Sequence, residues 1–356
     1  MGAAPARNED TAVNYREEFP SLGRMLGATA AFARNLEDGP DRRLAMQAVA
    51  GLGGVTGVSG GFLIPVEHAS SIWERVDAVG QILRRCTKQP VSTKHGDLNI
   101  PAVDERSRAD GSRFGGLNLA WLDQGEPFPQ SKPSFGLVKF RAKKLGGVIN
   151  VTDELLGDTV ALDAWFTRVT SRELAFDVED SIVAGSGVGQ PLGLLNAPAL
   201  ITVEKDAAQA AGTISFDNLK AMVKRLWPGS FPTACWLMGN DAFAEILSMW
   251  ETDGSILSTN SEGERTLLDF PIVLTEATSS LGEIGDIILA DLAEYVVVEC
   301  EAGTGILSSI HVRFVADETA FRVAARVDGA PAWTSPVTVK NSAETVSPFV
   351  TLEARN

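Results

Sequence analysis

The 356-residue sequence has little that is typical of a secreted, membrane-spanning or metal-binding protein. Its three cysteines, Cys86, Cys235 and Cys300, are an odd number and are widely spaced. Such a set favours buried thiols in a reducing compartment over disulfides. No run of 18 or more apolar residues is present, which argues against a transmembrane helix. The N-terminal 20 residues lack the basic and apolar regions of a secretory signal, so we expect assembly in a cytoplasm.

Metal ligands and paired catalytic carboxylates are also scarce. The three histidines lie far apart, at His68, His95 and His311. No C-x-x-C or H-x-x-x-H spacing accompanies them, so neither a structural zinc nor any other metal or cofactor is expected. The neighbouring acids Asp153/Glu154 and Glu179/Asp180 would point about 100° apart on a helix, which predicts solvated helix faces and no shared acid–base site.

Two glycine-rich motifs suggest chemistry that their context does not favour. The segment 57–61 fits the G-x-S-x-G pattern of a serine hydrolase, with Ser59 as nucleophile, but no hydrophobic strand precedes it. Hydrolysis at Ser59 therefore stays a remote alternative. The glycines of 185–189 follow a predicted helix, whereas phosphate-binding loops precede one, so we interpret them as a helix end and a tight turn.

Basic residues are fewer than acidic ones. The chain has 31 Lys and Arg against 46 Asp and Glu, a net charge of −15, and this disfavours nucleic-acid binding through a broad basic face. The deficit is uneven: residues 61–149 carry 13 basic and 9 acidic side chains, whereas residues 188–300 carry 5 and 16. Residues 150–187 are also acidic, with 2 basic and 8 acidic side chains. Copies of the chain could therefore attract one another.

The first 60 residues read as an arm, and a hairpin follows. A helical stripe in the arm consists of Leu22, Leu26, Ala30 and Ala33, and the glycine-rich segment 51–61 predicts a hinge. Residues 62–64 predict an entry strand, and His68 to Val79 predict a short helix with Ile72, Trp73, Val76 and Val79 on one side. Residues 97–103 look extended. The return strand near 136–143 alternates apolar residues with Lys139, Arg141 and Lys143, so it has one basic face. The long polar connection between the strands carries Trp121 and Phe128 as isolated apolar anchors.

One long helix and an α/β region complete the pattern. The helix is predicted over about 160–184, where an apolar residue recurs every seven positions: Leu162, Val169, Phe176 and Val183. Its opposite face carries charged residues expected in solvent: Arg168, Arg172, Asp177 and Glu179. Helices and strands alternate over 190–300. Ser215 is a candidate helix cap there, and residues 234–238 (ACWLM) predict a buried strand. Only strands follow from 306, where Phe321, Val323, Ala325 and Val327 alternate with Arg322, Ala324 and Arg326. The fold class is therefore α+β.

Several motifs, in order along about residues 60–335, resemble the major capsid proteins of tailed phages with the HK97-type fold. The junction 60–65 (GGFLIP) resembles the point where the family's arm meets its body. A second set resembles the end of the extended loop and the start of the spine helix: Trp121, Glu126, Pro129, Ser131, Pro133, Phe135, Lys144-Leu145, Val151-Thr152 and 154–158. The helix exit at 185–194 and the segments 317–323 and 326–329 resemble later parts of the family's chain.

The resemblance implies a domain organisation. It consists of an N-terminal arm (1–60), a P domain (61–95, 149–189 and 301–340), an extended E-loop hairpin (96–148) and an A domain (190–300), which the tail 341–356 could join. The leader is shorter than the scaffolding domain that some members cut off. The resemblance therefore implies either a separate scaffold protein or an arm that suffices alone.

The resemblance also implies a function. The chain would be a major capsid protein, not an enzyme, that self-assembles into hexamers and pentamers of an icosahedral or prolate head enclosing double-stranded DNA. It would have no cofactor and would be found in the virion. Portal, scaffold and head-maturation proteins would be its partners, and no membrane would be involved. An encapsulin-like nanocompartment shell is the alternative from the same fold.

The resemblance and the basic face of the return strand together give candidate residues for contacts between subunits: Trp121, Glu126, Lys139, Arg141, Lys143 and Arg326. Some family members join an E-loop lysine to a neighbour's asparagine covalently. Lys132 and Asn341 are candidates for this cross-link, but no motif connects them, so cross-linking stays a minor alternative.

Overall fold

The computed structural model describes residues 66–91, 97–103, 108, 116–124, 127–131, 135–152, 159–207, 209–252, 256–260, 263–300, 305–309, 318–340 and 343–355. The α-helices are α1 (Val66–Val79), α2 (Thr159–Ala184), α3 (Phe216–Arg225) and α4 (Asn240–Thr252). The early strands are β1 (Thr87–Val91), β2 (Asp97–Val103), β3 (Phe135–Arg141), β4 (Lys143–Thr152), β5 (Ile201–Val203) and β6 (Cys235–Met238). The later strands are β7 (Leu257–Thr259), β8 (Arg265–Leu267), β9 (Phe270–Leu274), β10 (Ile287–Ala290), β11 (Tyr295–Cys300), β12 (Gly305–Ser309), β13 (Glu318–Pro331), β14 (Val337–Thr338), β15 (Thr345–Val346) and β16 (Phe349–Leu352).

The chain divides into two compact units. One comprises Met1–His68, Gly147–Val169 and Gly305–Val323, and the other comprises Ala69–Gly146, Thr170–Thr304 and Ala324–Asn356. In the first unit the rings of Phe166 and Phe321 meet edge to face, with centroids 6.0 Å apart, and both side chains are fully buried. Such a contact stabilises beyond its buried area.

A mixed sheet forms the centre of the larger unit. Among the described residues its strand order is β5-β16-β10-β6-β9-β8-β7. Every residue of β6, β10 and β16 is buried. Their continuous apolar sequences, such as the 234–238 segment that predicted a strand, are those expected of strands covered on both faces. Apolar residues of α3 and α4, including Leu219 and Ile246, join the same core.

The tail is built into this sheet. Strand β16 pairs in parallel with β5 and antiparallel with β10. Three residues beyond it, the guanidinium of Arg355 forms an ion pair with Asp286, and neither side chain has any exposed surface. Arg355 also donates from Nε to the carbonyl of Thr213, at 2.6 Å. Residues 349–355 therefore belong to the core of this unit.

A second sheet in the larger unit contains β1, β11 and the part of β13 that pairs with β11. β1 runs parallel to β11, from Thr87 opposite Val296 to Val91 opposite Cys300. β13 shows the alternation predicted from its sequence: Phe321, Val323, Ala325 and Val327 are buried. Arg322 between them is exposed. Apolar residues at every second position lie on one face of a strand, which explains the pattern.

The cap of α3 is as predicted. The Ser215 hydroxyl accepts a hydrogen bond from the backbone N–H of Asn218, and the Asn218 side chain accepts one from the N–H of Ser215, both at 3.0 Å. This reciprocal capping box satisfies two backbone donors that the first turn leaves open.

The long helix is confirmed, but its predicted apolar stripe is wrong at Val169 and Phe176. Val169 and Phe176 are exposed, at 36% and 47% of their surface, although Val183 is fully buried. The buried face of the second half instead contains Leu174, Val178 and Ile182, together with small residues. Residues at i, i+4 and i+8 follow the 3.6-residue period of a straight helix, whereas a strict seven-residue repeat drifts around it. The apolar side assigned to α1 is wrong in part, since Val79 is 46% exposed while Trp73 and Val76 are buried.

The glycines after α2 form the predicted helix end and turn. Gly185 donates its N–H to the carbonyl of Ser181 at 3.0 Å, and Gly193 donates back to the carbonyl of Gly185 at 2.8 Å. A Cβ at Gly185 would lie 2.3 Å from the carbonyl oxygen of Pro191, which leaves room for no side chain. The segment therefore closes the helix and does not present free N–H groups to a phosphate.

Candidate functional site

The most distinctive feature of the larger unit is a two-stranded hairpin. β2 and β3 pair antiparallel over seven residues, from Asp97 opposite Arg141 to Val103 opposite Phe135. This confirms the pairing that alternation along the return strand predicted. Phe140 at its base is 3% exposed and packs with Val296 and Val298 of β11. The base of the hairpin is therefore held on the sheet, while the two strands pair in the described residues only with each other.

The connection between these strands exposes large apolar side chains. Trp121 is fully exposed, and Leu119 and Phe128 expose 85% and 84% of their surfaces. A hydrogen bond joins two parts of the connection: the Ser131 hydroxyl accepts it from the backbone N–H of Asn118 at 2.9 Å. Isolated exposed apolar residues are ordinary, whereas two exposed aromatics and an exposed leucine in one loop are unusual for a surface in water.

The basic residues predicted for assembly have different environments. Lys139 is exposed. The Arg141 side chain is 88% exposed, and its Nε lies 3.7 Å from Asp97 Oδ1. Arg326 is half-buried in β13. Lys143 is also half-buried, and its ammonium group donates a hydrogen bond to Asp328 Oδ1 at 2.7 Å. Lys139 and Arg141 are thus the exposed cations of this strand, and Lys143 is bound within its own chain.

Asp328 was not singled out by the sequence, yet it receives hydrogen bonds from three groups. Besides Lys143, the backbone N–H of Arg141 donates to Oδ2 at 2.7 Å, and the N–H of Gly329 donates to Oδ1 at 2.8 Å. Asp328 is 4% exposed. A buried carboxylate needs such partners to remain charged. Its only signal in the sequence was its place in the segment 326–329, which resembles a late part of the family's chain.

Glu179 corrects a second expectation. It was assigned to a solvated helix face, but its Oε1 accepts the backbone N–H groups of Ile82 and Leu83, at 2.6 and 3.1 Å. It therefore joins α2 to the turn that follows α1. Burial raises the pKa of Glu179 above its ordinary value, and the hydrogen bonds from Leu83 and Ile82 oppose that rise.

We expect the free energy of unfolding of the subunit to fall as pH rises above about 4, the ordinary pKa of a carboxyl group. Burial raises the pKa of Glu179, and likewise the pKa of Asp177 and Glu294. A raised pKa means that the folded state binds the proton more tightly, so the stabilisation is present below the unfolded pKa and is lost as pH rises through the folded one. Self-repulsion of a net charge of −15 acts in the same direction.

Urea unfolding of the subunit at a series of pH values above about 4 measures the effect. Glu179→Gln retains an oxygen acceptor for both N–H groups but does not titrate, so it should reduce the pH dependence. A free energy of unfolding that rises steadily from pH 5 to pH 8 would contradict this prediction.

Some predicted residues lie outside the described part of the chain: Ser59, Glu126, Lys132, Asn341 and the arm 1–60. The entry strand at 62–64 and the acids Asp153 and Glu154 lie outside it as well. Their assignments stay predictions.

The described residues offer no cluster of three or more His, Cys, Asp or Glu side chains that could hold a metal ion. All three cysteines are free and buried, as predicted. Burial raises the pKa of the Cys86 thiol and raises that of Cys235 to about 12, so neither is a ready nucleophile. None of the helices in the described ranges is long and apolar enough to cross a membrane.

Solved capsid subunits have a similar fold. The subunit in the capsid of an empty GTA particle aligns with a TM-score of 0.50 at 13% identity, over 77% of this chain and 90% of that one. The subunit in the native GTA particle aligns with a TM-score of 0.50 at 14% identity, over 77% of this chain and 89% of that one. The subunit in the satellite phage P4 procapsid aligns with a TM-score of 0.49 at 10% identity, over 80% of this chain and 99% of that one. The fold is thus an α+β fold of the HK97 type.

A sequence search of curated proteins finds no match. A family model described as the phage capsid family matches residues 60–341, so the chain belongs to that family. It is a major capsid shell protein, and family membership points to the virion as its location. The family and the similar structures are those of structural proteins, and the encapsulin-like alternative is not better supported.

Proposed function

We propose that this shell protein assembles into hexamers and pentamers of an icosahedral or prolate phage head around double-stranded DNA, and that it acts without catalysis. The observation that carries the proposal is the hairpin with its exposed apolar connection. Trp121, Leu119 and Phe128 have no cover from the described part of their own chain. Burying such side chains against a neighbouring copy would release the free energy that drives association.

In this proposal the hairpin and its connection (96–148) act as the E-loop and lie over the next subunit. Residues 61–95, 149–189 and 301–340 form the P domain, and 190–300 forms the A domain, to which the tail strand β16 contributes by its pairing with β5 and β10. Portal, scaffold and head-maturation proteins are the further partners. Packaged DNA would be enclosed without sequence-specific contacts, because the shell as a whole is acidic.

Charge supports the same arrangement. Residues 61–149 have a net charge of +4, from 13 basic and 9 acidic side chains, whereas residues 188–300 have 5 basic and 16 acidic ones. Lys139 and Arg141 are exposed on β3 and are therefore available to a neighbour. Opposite charges on two surfaces accelerate encounter and suppress wrong orientations, with an effect that weakens as salt rises.

The test is electron microscopy of the expressed protein together with the charge reversal Lys139→Glu/Arg141→Glu. We expect the unchanged protein to form closed shells or capsomers, and the double variant to assemble about tenfold more slowly at low salt. Lys143 is left in place because it is bound to Asp328 within the chain.

Lys220→Glu/Lys224→Glu reverses two exposed charges on α3 and is the matched control. Discrete small particles from the unchanged protein would refute the shell proposal. Shells of the double variant that form at an unchanged rate and salt dependence would refute only the steering by Lys139 and Arg141.

A further inference from the structure

The hairpin meets the sheet at a break in the strand. β3 ends at Arg141 and β4 begins at Lys143, so Ala142 belongs to neither strand, and it is 4% exposed. The Asp328 carboxylate bonds to both sides of this break. It accepts the Arg141 N–H at Oδ2 and the Lys143 ammonium at Oδ1, each at 2.7 Å. One side chain therefore ties the end of the hairpin to the start of the next strand.

Asp328 is itself firmly placed. It lies in β13 opposite Val298 of β11, in the middle of a regular antiparallel pairing. The next residue, Gly329, donates its N–H to Asp328 Oδ1 at 2.8 Å and accepts from the N–H of Leu192 at 2.8 Å. A Cβ at Gly329 would lie only 2.7 Å from Tyr295 Oη, so the backbone here is packed closely against a fully buried ring. The anchor of the hairpin is thus a rigid part of the sheet.

The base of the hairpin makes two kinds of contact, which differ in what they specify. Phe140 buries its ring against Val296 and Val298. Such apolar contact adds adhesion but depends little on direction. The hydrogen bonds to Asp328 are directional and charge-assisted, and they act on the residues immediately before and after the break.

We infer that Asp328 is a positioning residue that sets the direction in which the hairpin leaves the sheet, and through that direction the geometry of the shell. The inference rests on the proposed function, since it assigns to Asp328 the control of where the apolar connection meets a neighbouring copy. Lys143 is its partner in this role and acts within the subunit, as distinct from the exposed Lys139 and Arg141.

Two measurements test this inference. Hydrogen exchange of the unassembled subunit reports on the hairpin, and electron microscopy reports on shell diameters. With Asp328→Asn or Lys143→Met we expect amides of β2 and β3 near the base to exchange about tenfold faster, as loss of one charge-assisted bond predicts. We also expect a broader distribution of shell diameters.

Lys143→Arg retains the cation and should restore both measurements. Lys224→Gln removes an ion pair to Glu344 that is 2.6 Å long and largely exposed, and it should change neither. Should Asp328→Asn fold poorly because the residue is buried, Lys143→Met provides the same test at a side chain that is 24% exposed.

Unchanged exchange in Lys143→Met would overturn the inference. So would faster exchange with an unchanged diameter distribution, because the bond would then hold the hairpin without affecting the shell. A protein that never forms shells would instead refute the proposed function, and the exchange measurement on the subunit would still decide whether Asp328 holds the hairpin.

Discussion

Trp121→Ala is expected to prevent shell assembly while the free energy of unfolding of the subunit stays within about 0.5 kcal/mol of its original value. The Trp121 side chain is fully exposed, so its removal leaves no cavity in the subunit. At an interface, a buried tryptophan typically contributes about 2–4 kcal/mol, and a shell repeats the loss at every equivalent contact.

The measurement is the yield of closed particles by electron microscopy and sedimentation, beside thermal unfolding of the subunit. Trp121→Phe keeps most of the apolar surface and should assemble. Val188→Ala removes an equally apolar, 85% exposed side chain from the turn after α2 and is the matched control. Wild-type yields of shells from Trp121→Ala would show that this residue does not contribute to the contact.

Arg355→Ala is expected to lower the free energy of unfolding by about 3–5 kcal/mol. The ion pair between Arg355 and Asp286 is completely buried, and Asp286 also accepts the N–H of Gly282 at 2.9 Å. Truncating the arginine leaves a buried carboxylate without its counter-ion and removes the donor to the Thr213 carbonyl. Both losses carry a full desolvation cost, because water does not reach the site.

Urea unfolding at fixed pH measures this loss. Lys224→Ala breaks a pair between exposed groups and should cost about 0.5 kcal/mol or less. The double variant Asp286→Leu/Arg355→Met removes both charges together and should recover part of the stability. An Arg355→Ala protein as stable as the original would mean that the tail does not hold the core.

The secondary structure of this protein could largely be predicted from local patterns. The alternation along β13, the apolar run of β6 and the Ser215 cap depend on neighbours within a few residues, and the structure confirms all three. The pairing of β2 with β3 could also be anticipated, because the two strands follow each other along the chain. The domain boundaries and the assembly residues inferred from the family resemblance stay predictions.

Contacts between distant parts of the chain could not be predicted in the same way. Glu179 was expected in solvent, yet the N–H groups that it binds, those of Ile82 and Leu83, lie nearly a hundred residues earlier. Phe176 fitted an apolar repeat and is exposed instead, because the direction a helix faces depends on what packs against it. A carboxylate in a sequence carries no sign of whether water or a buried amide will be its partner.

By itself, the sequence determined which of the main segments are helices and which are strands and, through ordered motifs, the HK97-type fold of the phage capsid family. Periodicity, capping and turn residues are local physical effects, so they can be read along the chain. Only the tertiary structure decided which charges are available outside the subunit and which are used within it. Lys139 and Lys143 occupy equivalent positions in one alternating pattern, but only Lys143 meets Asp328, because folding brings β13 beside the base of the hairpin. Burial and ion pairing depend on which distant segments fold against each other, so they cannot be predicted from a local sequence pattern.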